Sequence, residues 1–287
     1  MACKNLQGET RDLKDKLKNY KAGSIEGLNT FTDALEGEME GMQIRLAVFG
    51  MTGAGKSSLV NTIWKTLYGK ESAPAIEQSS GAEGTQLLED FTSRAGTQNE
   101  LGGFVFNDTR GFNFDFNNAE ENELFRVLYG IVPAGQLIER GEWADQMAEH
   151  AGQAAHRLEK PPVADQVHVV LWVIKANDIR FENDQYMHKF DFVRQMLNKE
   201  GVTIVTAITH GDKLSEDEDD IKDVKTKAME VTGSMKGRTF IFANWLGEDE
   251  EYDVTHQRVV LKMLHTALAC GERSVRSRQV QRKLANK

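Results

Sequence analysis

Short apolar runs alternate with amphipathic stretches along most of the chain. Five runs stand out, at 44–50 (IRLAVFG), 103–107 (GFVFN), 167–174 (VHVVLWVI), 202–208 (VTIVTAI) and 239–243 (TFIFA). Their apolar residues are nearly continuous, the pattern of strands buried on both faces of a mostly parallel sheet. Between them, 56–68, 120–129, 183–198 and 217–231 have helical length and spacing. Strand and helix in alternation predict an α/β fold: a doubly wound, mostly parallel sheet with its ligand at the carboxyl ends of the strands.

This alternating domain spans about 43–246. Residues 1–42 read as a helical N-terminal segment. Leu6, Leu13, Leu17 and Tyr20 recur at spacings of seven, four and three, Gly23 and Gly27 break the stripe, and a second short helix is expected at 29–40. Residues 247–287 read as a C-terminal helix carrying Val259, Leu261, Leu264 and Leu268, followed by a basic tail from Arg273. That tail reads as disordered and solubilising, or else as a contact for anionic lipid or a partner.

Composition narrows the class. The 287 residues are 40% hydrophobic, enough for a sizeable core, and carry a net charge of −9. That balance argues against broad nucleic-acid binding, which rests on clustered positive charge. No apolar run is long enough for a transmembrane segment, and the polar first twenty residues do not read as a secretory signal. Cys3 and Cys270 stand alone, which fits a reducing, cytoplasmic setting. His150, His156 and His168 form no tight metal pattern and read as surface or core residues.

The chemistry begins after the first run. Gly50-Met-Thr52-Gly53-Ala54-Gly55-Lys56-Ser57 fits G-x-x-x-x-G-K-[ST], with a strand before it and a helix opening at Ser58 after it. The glycines permit conformations closed to residues with a Cβ, so the loop's N–H groups can turn inward around phosphate oxygens. The following helix adds its positive end. Lys56 is expected to reach the β- and γ-phosphates, and Ser57 to bind Mg²⁺ through its hydroxyl.

The second run leads into Asp108-Thr-Arg110-Gly111. An acid at a strand end beside such a loop is where Mg²⁺ is held, and Gly111 can offer its N–H to the γ-phosphate. Arg110 reads either as a stabiliser of transition-state charge or as a surface arginine. Phe112 stands where many GTPases place a glutamine that orients water. An aromatic cannot do that, so hydrolysis needs another polar group or a partner's residue, or is slow. The phenylalanines of 112–116 (FNFDF) are expected to be buried or offered to a partner. The polar stretch 71–85 reads as a first switch loop, with Thr85 as the second Mg²⁺-binding hydroxyl and Ser79, Ser80 and Thr92 as alternatives.

After the fourth run comes Thr209-His210-Gly211-Asp212. The usual guanine-reading pattern is N-K-x-D, whose aspartate accepts from guanine's N1 and N2. Asp212 has the right spacing, Thr209 replaces the asparagine only in part, and the His210 ring can lie over the base. Asn244, after the last run, sits where a further loop closes on the base. The interval between Asp108 and Asp212 is long for this architecture, and the surplus falls at 133–165. That insertion reads as a lid, a dimer surface or an elaborated connection.

The series GMTGAGKSS, DTRG and THGD, with Glu123–Pro133 (ELFRVLYGIVP) and Asp165–Val173 (DQVHVVLWV), resembles the interferon-induced protein 44 family. The resemblance covers about 42–246. It implies a Ras-like G domain that binds GTP or GDP with Mg²⁺ in the cytoplasm, in an antiviral or growth-restraining role. The expectation is a GTPase giving GDP and phosphate, slow or activated by a partner or by a homodimer through the nucleotide face. The alternatives are a nucleotide-gated interaction module with negligible turnover, and an ATPase or kinase on the same loop, which Asp212 disfavours.

Overall fold

The computed structural model describes residues 2–25, 39–75, 88–95, 100–109, 111–112, 124–131, 161–183, 187–214, 217–247 and 252–285. A sheet of six described strands crosses the molecule: β1 (Ile44–Gly50), β2 (Glu89–Ala95), β3 (Glu100–Asp108), β4 (Val169–Lys175), β5 (Thr203–Thr209) and β6 (Thr239–Ile241). Their order is β2-β3-β1-β4-β5-β6. β2 is antiparallel to β3, and every other pairing is parallel. The mostly parallel, doubly wound sheet expected from the apolar runs is the fold observed.

Among the described residues the sheet is flanked by α1 (Ala2–Lys18), α2 (Lys56–Tyr68), α3 (Met187–Lys199), α4 (Glu218–Thr232) and α5 (Val254–Ala285). Residues 124–128 are also helical. Successive side chains of β1 point to opposite faces, as the pleat requires. Leu46 and Val48 pack with Leu59 and Ile63 of α2 and Leu261 and Leu264 of α5. Ala47 and Phe49 pack with Leu124, with Phe190 and Val193 of α3, and with Val231 of α4. β1 is therefore buried on both faces, as its nearly continuous apolar sequence requires.

β2 has no counterpart among the predicted strands. Its sequence, EDFTSRA, has no continuous apolar run, because an antiparallel edge strand needs only one buried face. It also removes Thr92 from the candidate Mg²⁺ ligands. Thr92 pairs with Val105, three residues back along β3 from Asp108 and so about 10 Å away along the strand.

The C-terminus corrects a second expectation. Helix continues from Val254 to Ala285, so the basic tail expected after Arg273 is the second half of α5. Val275 is wholly buried. Arg278 donates to the carbonyls of Val167 at 3.0 Å and Glu200 at 3.2 Å. Glu272, also wholly buried, accepts from the Tyr20 hydroxyl and from the N–H of Gly23, both at 2.8 Å, and so ties the segment after α1 to α5. Most of the second short helix expected at 29–40 lies outside the described residues, as does most of the insertion at 133–165. Among the described residues no helix is long and apolar enough to cross a membrane.

Candidate functional site

The carboxyl ends of β1, β3, β4 and β5 converge on one rim of the sheet. Val48 pairs with Asp108, Gly50 with Val173, and Lys175 with Thr209. The segment from Gly50 to Gly55 leaves that rim and enters α2 at Lys56. Gly53 and Gly55 have φ of 79° and 86°, in the region that favours glycine. Gly50 lies against Val173, whose carbonyl oxygen a Cβ would overlap.

Lys56 is almost wholly buried, with Nζ 3.4 Å from the carbonyl oxygens of Gly50 and Met51. A buried ammonium at the mouth of a helix N-terminus is a strong attractor for phosphate. Ser57, one residue on, donates its hydroxyl to Asp108 Oδ2 at 2.8 Å. Asp108 is fully buried, and its Oδ1 has no hydrogen-bond partner. Burial pushes its carboxyl up to about 6, against the pull of the Lys56 charge and the Ser57 hydrogen bond. Thr109 fixes the strand end by donating to the Val48 carbonyl at 2.7 Å.

These groups test whether Mg²⁺ fits. An orphaned carboxylate oxygen and an adjacent hydroxyl are hard oxygen donors of the kind Mg²⁺ takes. Among the described residues no group of three or more His, Cys, Asp or Glu converges as a self-contained metal site. Ser57 and Asp108 would supply two of the six positions of an octahedral Mg²⁺ and leave the rest to phosphate oxygens and water.

The segment after Asp108 folds back onto the loop. Phe112 N–H donates to the Gly50 carbonyl at 3.1 Å, and Thr52 N–H donates to the Phe112 carbonyl at 3.0 Å. The Thr52 hydroxyl adds a bond of 3.2 Å to the same carbonyl. A Cβ on Gly111 would stand 2.6 Å from Thr52 Cα, so only glycine allows this approach. The Phe112 ring turns into the core, with 2% exposure. It stacks on Trp172 at 5.8 Å and 5°, and on Phe49 at 5.6 Å and 30°. Of the two fates expected for these phenylalanines, Phe112 takes burial; 113–116 lie outside the described residues.

The opposite end of the loop meets the base-reading candidates. Thr209 Oγ1 donates to the Ala54 carbonyl at 2.8 Å, and Asn244 Nδ2 to the Gly55 carbonyl at 3.3 Å. His210 takes φ of 58°, the one described non-glycine residue at positive φ, and its Nδ1 lies 3.0 Å from Thr209 Oγ1. Gly211 N–H donates to the Phe242 carbonyl at 3.0 Å, which docks the turn against the loop after β6. Asp212 is exposed on that turn, 3.2 Å from Lys213 Nζ.

The structure therefore gathers Gly50, Thr52, Gly53, Ala54, Gly55, Lys56, Ser57, Ser58, Asp108, Gly111, Thr209, His210, Asp212 and Asn244 on one rim. Thr85 and Arg110 lie outside the described residues, as do Ser79 and Ser80. One residue that the sequence did not single out joins the group. Arg180 follows β4 in a single helical turn, Ile179–Glu182, and its Nη2 lies 3.4 Å from the Thr52 carbonyl. The available signal was an acid and an arginine two positions apart, just past the carboxyl end of a central strand.

No protein-family model matches the chain. Among curated proteins it is 24% identical over 173 residues to interferon-induced protein 44 of Homo sapiens, a match covering 60% of this chain and 37% of that protein. The protein of the same name from Mus musculus is 22% identical over 172 residues, covering 60% and 39%. The chain thus spans well under half the length of the curated relatives it matches. Among solved structures, the septin GTPase domain from Chlamydomonas reinhardtii aligns with a TM-score of 0.45 at 13% identity, over 83% of this chain and 98% of that one. By its sheet order and the placing of its glycine-rich loop the chain has a doubly wound P-loop α/β fold, and in sequence it is similar, at low identity, to interferon-induced protein 44.

Proposed function

We propose that this chain binds a guanine nucleotide with Mg²⁺ and hydrolyses GTP to GDP and phosphate, slowly alone or faster with a partner or a second copy. The observation that carries the proposal is the buried Asp108 carboxylate. One oxygen is bonded to Ser57 and the other is unpartnered, beside Lys56 at the opening of the loop. A charge buried this way is costly unless a cation joins it.

In this reading the N–H groups of the loop and of the first turn of α2 hold the phosphates. Lys56 spans the β- and γ-phosphates, and Gly111 offers its N–H to the γ-phosphate. Ser57 and Asp108 hold the cation, with Thr85 as the second hydroxyl. When bound, Mg²⁺ neutralises charge on the β- and γ-phosphate oxygens. Water attacks the γ-phosphorus in line, the bond to the bridging oxygen breaks, and GDP leaves. Asp212 accepts from the guanine edge, while His210 lies over the ring and Asn244 closes beside it. The similarity to an interferon-induced protein supports an immune-related setting.

A second reading has its own observation. The Phe112 ring is buried, so it contributes no polar group to water. A nucleotide-gated interaction module with negligible turnover would need none.

Equilibrium binding of labelled GTP tests the proposal. GDP should compete and ATP should not; equal competition by ATP would remove the guanine assignment. Lys56→Ala should abolish binding, and normal binding in that variant would overturn the phosphate-loop assignment. Phosphate release across protein concentrations then separates the two readings. A rate per molecule that rises with concentration indicates catalysis through dimers, and no release at any concentration favours the module.

A further inference from the structure

The loop has two ends, and its contacts tell them apart. Thr209 and Asn244 bind the carbonyls of Ala54 and Gly55, so the base belongs at that end. Gly111, the γ-phosphate donor of the proposed function, meets Thr52 instead. Thr52 therefore marks the γ-phosphate end. Arg180 stands there, with Nη2 3.4 Å from the Thr52 carbonyl.

Its guanidinium is aimed, not loose. Nε donates to Asp178 Oδ1 at 2.8 Å and Nη2 to Asp178 Oδ2 at 2.6 Å, the two parallel bonds of a fork. Asp178 is itself held: its side chain is 4% exposed, and Oδ1 also caps the turn by accepting from the Arg180 N–H at 3.0 Å. The Arg180 side chain remains 27% exposed, on the rim where the nucleotide would lie. The contact to Thr52 is long for a hydrogen bond, and a charged phosphate oxygen is a stronger acceptor than a carbonyl.

We propose that Arg180 contacts the γ-phosphate of bound GTP, distinguishing GTP from GDP and stabilising the charge of phosphoryl transfer in cis. This rests on the reading that the loop binds a guanine nucleotide. It gives the site a polar group to replace the glutamine that Phe112 displaces, with Asp178 as the positioning residue.

The test measures equilibrium binding of fluorescent GDP, of a fluorescent non-hydrolysable GTP analogue, and of GDP with aluminium fluoride, all with Mg²⁺. The proteins are wild type, Arg180→Ala and Arg180→Lys. Wild type should bind the GTP analogue more tightly than GDP and gain affinity for GDP with aluminium fluoride. Arg180→Ala should keep GDP affinity within about two-fold, lose about ten-fold for the analogue, and lose the fluoride effect, the scale of one charge-assisted contact. Arg180→Lys, which keeps the charge without the fork, should fall between. Equal losses for GDP and the analogue would overturn the proposal by making Arg180 a brace for Thr52. Unchanged discrimination in Arg180→Ala would overturn it as well, and so would a wild type that binds GDP yet shows neither preference. A wild type that binds no guanine nucleotide defeats the underlying reading itself.

Discussion

Replacing Phe112 should separate its structural work from any catalytic work. The ring is 2% exposed and stacked between Phe49 and Trp172. Truncating a buried phenylalanine costs about 3–5 kcal/mol, lost transfer energy and cavity together. The two stacked contacts account for about 0.5–1.5 kcal/mol each beyond area. The backbone on either side stays pinned to Gly50 and Thr52, so the cavity cannot close by sliding the segment inward. Phe112→Ala should therefore lower unfolding free energy by about 4 kcal/mol. Phe112→Gln should cost at least as much, since its amide enters an apolar cluster without a partner. Urea unfolding of the nucleotide-free protein reads this, with the m-value checked for constancy. The functional corollary is sharper. Side chain 112 points into the core, away from Lys56 and Thr52, so Phe112→Gln should not raise phosphate release per bound GTP. A ten-fold rise, or a stability loss below about 1 kcal/mol, would refute the placement of this ring.

Acid should act through His168. Its Nδ1 accepts from the Arg45 N–H at 2.9 Å, Nε2 lies 2.7 Å from the Val163 carbonyl, and burial pushes its pKa from 6.5 down to about 3. The unfolded chain takes a proton below 6.5 that the folded one refuses, so this group's contribution falls as pH drops from 6.5 toward 3, by about 2 kcal/mol between pH 7 and pH 5. Asp108 and Glu272, raised by burial, act in the opposite direction. The readout is thus the difference between wild type and His168→Gln, whose loss over that interval should be about 2 kcal/mol smaller; parallel pH profiles would refute the assignment. Thr209→Val removes the hydroxyl bonded to the Ala54 carbonyl, and should cost about 1–2 kcal/mol in thermal unfolding and weaken nucleotide binding. Deleting everything after Arg273 would be harmless for a solubilising tail. Because it removes buried Val275 and the Arg278 bonds, it should cost about 3 kcal/mol or more in chemical denaturation, and an unchanged midpoint would refute the packed helix.

What the sequence made legible follows from burial. β1, β4 and β5 are covered on both faces, so their apolar runs were continuous and their positions readable to within about two residues. β2 was invisible because an edge strand facing a single neighbour is written in polar residues. The second half of α5 was misread because Arg276 and Arg278 dominate a stretch whose buried positions are few, and Arg278 makes its bonds to carbonyls 78 and 111 residues away in the chain. The glycines and the lysine of the loop were readable because the G-x-x-x-x-G-K-[ST] pattern is written in the local backbone itself. Arg180 was not, because its position depends on how β4 and the loop come together, which no local pattern encodes.

The departures from the guanine-reading pattern gain a physical meaning at the same rim. An asparagine side chain has an acceptor and two donors, and can hold the loop while facing a base. The Thr209 hydroxyl has one proton, and it is given to the Ala54 carbonyl. Thr209 thus fixes the loop through that proton. Asn244, arriving from the strand beyond, donates to the next carbonyl along at Gly55. His210, forced to positive φ by the tight turn, is carried with it. Two side chains from adjacent strand ends therefore hold two successive carbonyls of the loop. In the proposed function, the base specificity assigned to Asp212 would depend on the docking of its turn against Phe242, which the Gly211 N–H secures.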